Sequence, residues 1–308
     1  TSGGSGVIHH TIWNYSEIGD TVLTSDWYWG PYSVLCKEAL RKLDTYQLFD
    51  EKQNFNIKAF ELKVNDLLKK QDSLIIIINT PAHNPTGFSL TDDDWTKVLD
   101  VCKTQAKDST KKITLLVDIA YIDYAGEKNE TRRFLKQFSN LPANILGILA
   151  FSMSKGYTMY GQRTGAMIGI SSNKEISKEF ADINQYTSRA TWSNINRGAM
   201  QLLATIYNDK QLLSQFEKER DSLYELIRER ANIFMTEAKD CGLNMLPYRA
   251  GFFISIPAAD SDAVCNNLHD DLIYAVPLSK GVRIAVCAVP SQKIKGMAEK
   301  TLKAMKNC

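Results

Sequence analysis

The chain has 308 residues, 44% hydrophobic and 23% charged, which is ordinary for a soluble globular protein of about two domains and excludes a disordered, collagen-like or small disulfide-stapled chain. Lys and Arg together number 37 against 35 Asp and Glu, a net charge of +2. That balance lacks the basic excess that a dedicated binder of nucleic acid or anionic membrane needs. The longest aliphatic run, Leu74 to Ile78, is far short of the ~20 residues that cross a bilayer, and no basic-apolar leader opens the chain. The six cysteines, Cys36, Cys102, Cys241, Cys265, Cys287 and Cys308, show no CxxC spacing. A cytoplasmic protein with reduced, mostly buried thiols is the expectation.

Taken in order, the pattern begins with Gly3-Gly4-Ser5-Gly6, read as a loop leading into a helix whose apolar residues recur near helical period. A strand over 21–24, a helix over 33–43, a strand over 46–49 and a helix over 57–70 follow. Leu74 to Ile78 is a continuous aliphatic run of the kind that forms a strand buried on both faces of a parallel sheet. Thr91-Asp92-Asp93-Asp94 places an N-cap and three carboxylates where a helix dipole favours negative charge. Further buried strands are predicted over 113–117, 145–151 and 166–170. Such alternation implies an α/β domain with a mostly parallel sheet and right-handed crossovers.

After about residue 173 three helical stretches run almost without strands, the last over 209–239. Short strands over 252–256, 273–276 and 282–286, with helices over 262–268 and 292–306, then form a smaller α+β module. The expected division is a large domain over 1–222 and a small C-terminal domain over 223–308, with the boundary inside the long helix.

Ligands of open α/β sheets sit beyond the carboxyl ends of the strands, and the unusual residues fall in four clusters, three of them at such ends. Gly3-Gly4-Ser5-Gly6 before a helix offers backbone N–H groups and a hydroxyl to a phosphate, though it lacks the spacing of the common nucleotide loops. His83-Asn84-Pro85-Thr86-Gly87 follows the aliphatic strand and reads in isolation as a turn. Asp118-Ile119-Ala120-Tyr121 puts a carboxylate at the end of the next strand. Ser152-Met153-Ser154-Lys155 closes the one after that, and Arg163, eight residues beyond Lys155, carries a guanidinium fork suited to a phosphate.

In this order the clusters resemble the fold type I pyridoxal-phosphate (PLP) aminotransferases, more narrowly the aspartate aminotransferase branch, over essentially the whole chain. The resemblance implies a three-layer α/β/α PLP-binding domain and a smaller α+β domain. It implies that Lys155 forms the internal aldimine and shuttles the proton, that Asp118 pairs with the pyridine nitrogen, and that Asn84 and Tyr121 donate to the phenolic oxygen. Gly4, Ser5, Ser152 and Arg163 would cup the phosphate, and Trp29 would stack on the ring, with Trp27 and Tyr28 in the core. Arg283 would clamp the substrate α-carboxylate and take part in recognition with Asn84 and Trp29. Arg189, within Ser188-Arg189-Ala190-Thr191-Trp192-Ser193-Asn194, would reach a neighbouring subunit's site and select dicarboxylic amino acids and 2-oxo acids in a homodimer with shared sites, where Ser193 adds a phosphate contact. The implied reaction is aspartate:2-oxoglutarate transamination. An aromatic amino-acid aminotransferase, a β-eliminating or decarboxylating PLP enzyme and a non-catalytic PLP-fold module are the alternatives. His9, His10 and His269 show no metal-ligand spacing, and no metal site or Ser-His-Asp triad is expected. The family carries roughly a hundred further residues ahead of the glycine loop, a domain-scale segment. The resemblance therefore implies a chain lacking its N-terminal segment, with an incomplete small domain.

Overall fold

A computed structural model describes residues 1–308. The chain divides into two compact units, one of residues 1–80, 90–122 and 127–215, the other of residues 81–89, 123–126 and 216–308.

In the first unit six strands, β1 (Thr21–Ser25), β2 (Lys42–Tyr46), β3 (Ser73–Asn79), β4 (Lys112–Asp118), β5 (Ile145–Ser152) and β6 (Gly165–Ile170), form one sheet in the order β2-β1-β3-β4-β5-β6. Neighbours are parallel except β6, which runs antiparallel to β5. Helices α1 (Gly3–Asn14), α2 (Pro31–Glu38), α3 (Ile57–Leu68), α4 (Asp92–Gln105), α5 (Met153–Gly156), α6 (Lys174–Thr191) and α7 (Arg197–Asn208) flank it in an α/β/α arrangement. The aliphatic run Leu74 to Ile78 is buried throughout, as a strand covered on both faces must be. Ile75 and Ile77 share one core with Val7, Ile8 and Ile12 of α1 and Tyr32 and Cys36 of α2. The Thr91 hydroxyl accepts from the Asp94 N–H while the Asp94 carboxylate accepts from the Thr91 N–H, a capping box that starts α4 where the sequence placed it. Strand order changes direction between β1 and β3, and such sheets place ligands beyond the carboxyl ends of their parallel strands near that point.

Several local expectations are corrected. The glycines at the start form the first turn of α1 rather than a loop before it. The strand expected over 46–49 lies over Lys42–Tyr46, where it pairs with β1 in register from Thr21↔Lys42 to Ser25↔Tyr46; the partner strand, not the apolar content, sets its limits. The 166–170 strand is an edge strand with Gly169 exposed and Ile168 44% exposed, not a buried one.

The second unit contains most of α8 (Lys210–Cys241) together with α9 (Ser261–His269), α10 (Ser291–Ile294) and α11 (Met297–Lys306). Its antiparallel sheet has the order β7-β9-β8, with β7 at Phe253–Pro257, β8 at Val276–Leu278 and β9 at Gly281–Ala285. The strand expected over 273–276 is thus displaced toward the chain end, and the helix expected over 292–306 is two helices. Ile227, Ala231 and Phe234 of α8 pack with Ile254, Ile256, Val264, Leu268, Val282 and Ile284 in this unit's core. A buried ion pair, Arg220 Nη1 to Asp123 at 3.3 Å, ties the short 123–126 piece to α8. All six cysteines are free thiols. No helix is long and apolar enough to cross a membrane.

His10, fully buried in α1, stacks on Trp192 with ring centroids 4.2 Å apart. Burial lowers its pKa from the usual 6.5 to about 4, with His9 adding repulsion. Between those values the unfolded chain holds a proton that the folded chain does not, so stability falls as pH drops through this window. Comparing thermal midpoints of the wild type and His10→Gln from pH 7 to 4 should show a flatter acid decline in the variant; parallel curves would remove His10 from the acid response.

Candidate active site

The start of α1, the end of β5 and the loop before β6 meet in one place in the first unit. A methyl group on Gly3, whose φ is +69°, would lie 2.5 Å from Arg163 Nη2. Only a glycine gives the guanidinium that position against the backbone. Gly4 faces the Ser152 side chain, where an added Cβ would sit 3.3 Å from the serine Cβ. Arg163 itself has left-handed backbone angles, φ 47° and ψ 54°, a conformation that costs a non-glycine residue about 1 kcal/mol or more and is found where the surroundings fix it. Its Nη1 donates to Ser154 Oγ at 3.0 Å and to the Tyr160 carbonyl at 2.9 Å. A guanidinium, the Ser152 hydroxyl and the N-terminus of a 12-residue helix make a donor set suited to a phosphate group. Ser5 lies half-buried in the same first turn.

Asp118 closes β4 and is only 6% exposed. Burial raises its carboxyl above the ordinary carboxylate range, and donation from Tyr32 opposes the rise. The Tyr32 hydroxyl donates to Oδ2 at 2.7 Å and the Ala120 N–H to Oδ1 at 3.1 Å. Asn79, at the end of the adjacent β3, donates through Nδ2 to the Asp118 carbonyl at 2.8 Å. The positive charge of Lys155 also favours the ionised form.

Lys155 sits in the short helix α5, which Ser152 caps by accepting from the Ser154 N–H. Its Nζ lies 4.8 Å from the ring centroid of Tyr160 and 5.8 Å from that of Tyr121, both within cation–π range. The first unit therefore brings together Gly4, Ser152 and Arg163 as one group and Asp118, Tyr121 and Lys155 as another. Trp29 is half-buried, and its ring meets Tyr32 edge-on at 5.5 Å.

Asn84 and Arg283 belong to the second unit. Arg283 Nη1 donates to Asn84 Oδ1 at 2.9 Å, and its guanidinium lies 4.3 Å from the centroid of the Phe253 ring. The turn holding Asn84 is pinned by the Ser255 hydroxyl, which donates to the Pro85 carbonyl at 2.9 Å, and by the Arg249 and Ala250 N–H groups, which both donate to the Gly87 carbonyl. At Gly87, with φ +73°, a side chain would run into the Tyr248 ring at 2.1 Å. This turn is consequently a fixed platform for one amide and one guanidinium, a pair able to grip a carboxylate.

Arg189 is exposed at the end of α6 and hydrogen-bonds Ser193; within this chain it joins neither group. Tyr32, Ser154 and Phe253 are contacts that sequence reasoning missed. Ser154 sits inside the Ser-x-Ser-Lys run and was open to inspection. Tyr32 and Phe253 had no signal, because aromatic residues in apolar surroundings read as core.

A family model described as aminotransferase class I and II matches residues 1–300. The crystal structure of an aminotransferase from Anaerococcus prevotii is 37% identical, superposes with a TM-score of 0.97, and is matched over 99% of this chain and 74% of its own. Among curated relatives, the aromatic-amino-acid aminotransferase of Escherichia coli is 24% identical over 240 residues, which are 75% of this chain and 57% of that protein. The aspartate aminotransferase of Pseudomonas aeruginosa is 25% identical over 209 residues, 68% of this chain and 50% of that protein. The chain spans about half the length of these two curated relatives. With the family model covering nearly all of the sequence and the lysine, carboxylate and anion cradle grouped at the carboxyl ends of its sheet, this chain belongs to the class I and II aminotransferases.

Proposed function

We propose that the protein is a PLP-dependent aminotransferase of the aspartate type, exchanging the amino group of L-aspartate with 2-oxoglutarate in two half-reactions. The observation that carries this reading is the grouping in one unit of an amine, a buried carboxylate and a phosphate-sized donor cradle, Lys155, Asp118 and Gly4-Ser152-Arg163. That set fits pyridoxal phosphate, whose carbonyl carbon takes an amine and whose protonated ring draws in the electron pair left on the substrate α-carbon.

Each side chain then has a task. Arg163, Ser152, Ser5 and the backbone at Gly4 hold the phosphate dianion. Asp118 would hold a proton on the ring nitrogen by its negative charge, and Tyr121 would donate to the phenolic oxygen, a role the family resemblance gives to Asn84 as well. Trp29 supplies an aromatic face. Arg283, paired with Asn84 in the second unit, is the guanidinium for the substrate α-carboxylate. Lys155 would be the amine that holds the cofactor's carbonyl carbon, and its Nζ would be the base that takes and returns the substrate α-proton. Lys155→Ala should lose at least a thousandfold in kcat, and borohydride treatment of the loaded protein should add the cofactor's mass to the wild type and not to the variant. Turnover near the wild-type rate would sink the assignment.

Substrate choice divides the relatives, which carry both aspartate and aromatic names at similar identity. The aspartate preference rests on Arg189 as the cation for the second carboxylate, borne into a neighbouring subunit's site. Arg189→Leu should lower kcat/KM for aspartate about tenfold or more and leave that for tyrosine little changed. Equal losses would favour the aromatic reading.

The shared-site homodimer draws support from α6, an 18-residue helix with no buried residue, and from α7, which buries only Ala199. Tyr186 is 79% exposed, and Leu202 and Tyr207 are also uncovered. Such faces call for a partner surface. Light scattering at micromolar concentration should give twice the 34.7 kDa chain mass; a monodisperse monomer would remove the partner's Arg189 from the scheme.

A further inference from the structure

The geometry points to Tyr32 as the positioning residue that fixes the Asp118 carboxylate and keeps it ionised, a role resting on the cofactor reading above. Burial opposes a charge on Asp118, so an ionised carboxylate there needs a partner that holds the charge without cancelling it. Its two oxygens have separate donors, Tyr32 Oη on Oδ2 at 2.7 Å and the Ala120 N–H on Oδ1 at 3.1 Å. The backbone donor is present whatever the side chains are. Tyr32 is the one selectable element of the pair.

Its placement is rigid. Tyr32 is 1% exposed and belongs to the core formed with Val7, Ile8, Ile12 and Ile77. Pro31 opens α2 immediately before it, the Tyr32 N–H donates to the Trp29 carbonyl at 2.9 Å, and the Trp29 ring meets the phenol edge-on at an interplanar angle of 87°. The hydroxyl therefore reaches Asp118 from a ring walled in by core side chains. A packed apolar side chain has no need of a hydroxyl; a buried one pointing at a carboxylate is there for the carboxylate.

The donor type matters as well. A cationic donor would neutralise the charge that Asp118 offers the ring nitrogen, and an apolar residue would leave the carboxylate desolvated and inclined to take up a proton. A phenol stabilises the anion and adds no charge. Burial and the neighbouring Asp118 push the Tyr32 hydroxyl well above its ordinary 10, so it remains a neutral donor throughout the working range. The other groups acting on this pair are Lys155, which favours the Asp118 anion, and Tyr121, which acts on Tyr32.

The test uses wild type, Tyr32→Phe, Asp118→Asn and the double variant, each loaded with pyridoxal phosphate carrying ¹⁵N in its ring, with thermal midpoints as the folding control. Removing a hydrogen bond to a charged group predicts a fall of about tenfold to a hundredfold in kcat for Tyr32→Phe with KM little changed, and a ring ¹⁵N resonance moved toward the unprotonated position. Because Tyr32 acts through Asp118, adding Tyr32→Phe to Asp118→Asn should cause no further loss. Replacing Tyr32 by 4-aminophenylalanine, a neutral N–H donor of nearly the same shape, should recover most of the rate and the ¹⁵N position, which also answers any loss of fold in Tyr32→Phe. A wild type that takes up no cofactor overturns the functional reading itself. A wild type with a protonated ring and an unchanged Tyr32→Phe spectrum, additive losses in the double variant, or no recovery with the amino analogue overturns the role of Tyr32 alone.

Discussion

A carboxylate at the end of an aliphatic strand, out of reach of bulk water, is unfavourable unless its neighbours supply the hydrogen bonds that water would have given. Asp118 is in that position, and the local structure is arranged around it. The phenol of Tyr32 comes from α2, the N–H of Ala120 from the turn after β4, and the amide of Asn79 from the end of β3 fastens the backbone beside it. Moving α2 or the turn after β4 would take one of the carboxylate's two donors away. Asn79 stands opposite Asp118 in the β3–β4 register, and its amide bond to the Asp118 carbonyl adds to the ladder that holds this register.

The remainder of the first unit's site follows from the same edge of the sheet. Parallel strands deliver all their carboxyl ends to one side, so Asp118 from β4 and Ser152 from β5 emerge there, with Lys155 one helical turn beyond. The antiparallel turn into β6 returns the chain past the start of α1, and Arg163 in that turn lies against Gly3. Its left-handed backbone is the local strain needed to aim a long side chain back across its own turn. The second unit applies a different device. There a β-sheet and the segment before it hold a turn by its carbonyl groups, leaving the Asn84 side chain to meet Arg283.

Much of this was legible in the sequence because the signals were strong and local. The Leu74–Ile78 run could only be a strand with two covered faces, Thr91 through Asp94 wrote out a helix start, and Asp118, Ser152, Lys155 and Arg163 stood at strand ends where an apolar protein has no reason to place them. The errors came where a neighbour decides. β2 took its limits from pairing with β1, β6 became an exposed edge because no strand lies beyond it, and the first glycines joined a helix because α1 packs on the sheet and extends over them.

The sequence by itself determined the alternation of strands and helices, the family, and the identity of the ionisable groups, since hydrophobic period, turn chemistry and motif spacing are properties of neighbouring residues. Only the tertiary structure decided which residue supports which. Tyr32 and Asp118 are 86 positions apart, and Asn84 and Arg283 are 199 apart. Nothing along the chain marks a buried phenol as a donor to a distant carboxylate or an amide as the brace of a distant guanidinium. Those pairings arise when folding removes water from both partners and brings them within hydrogen-bond reach of each other.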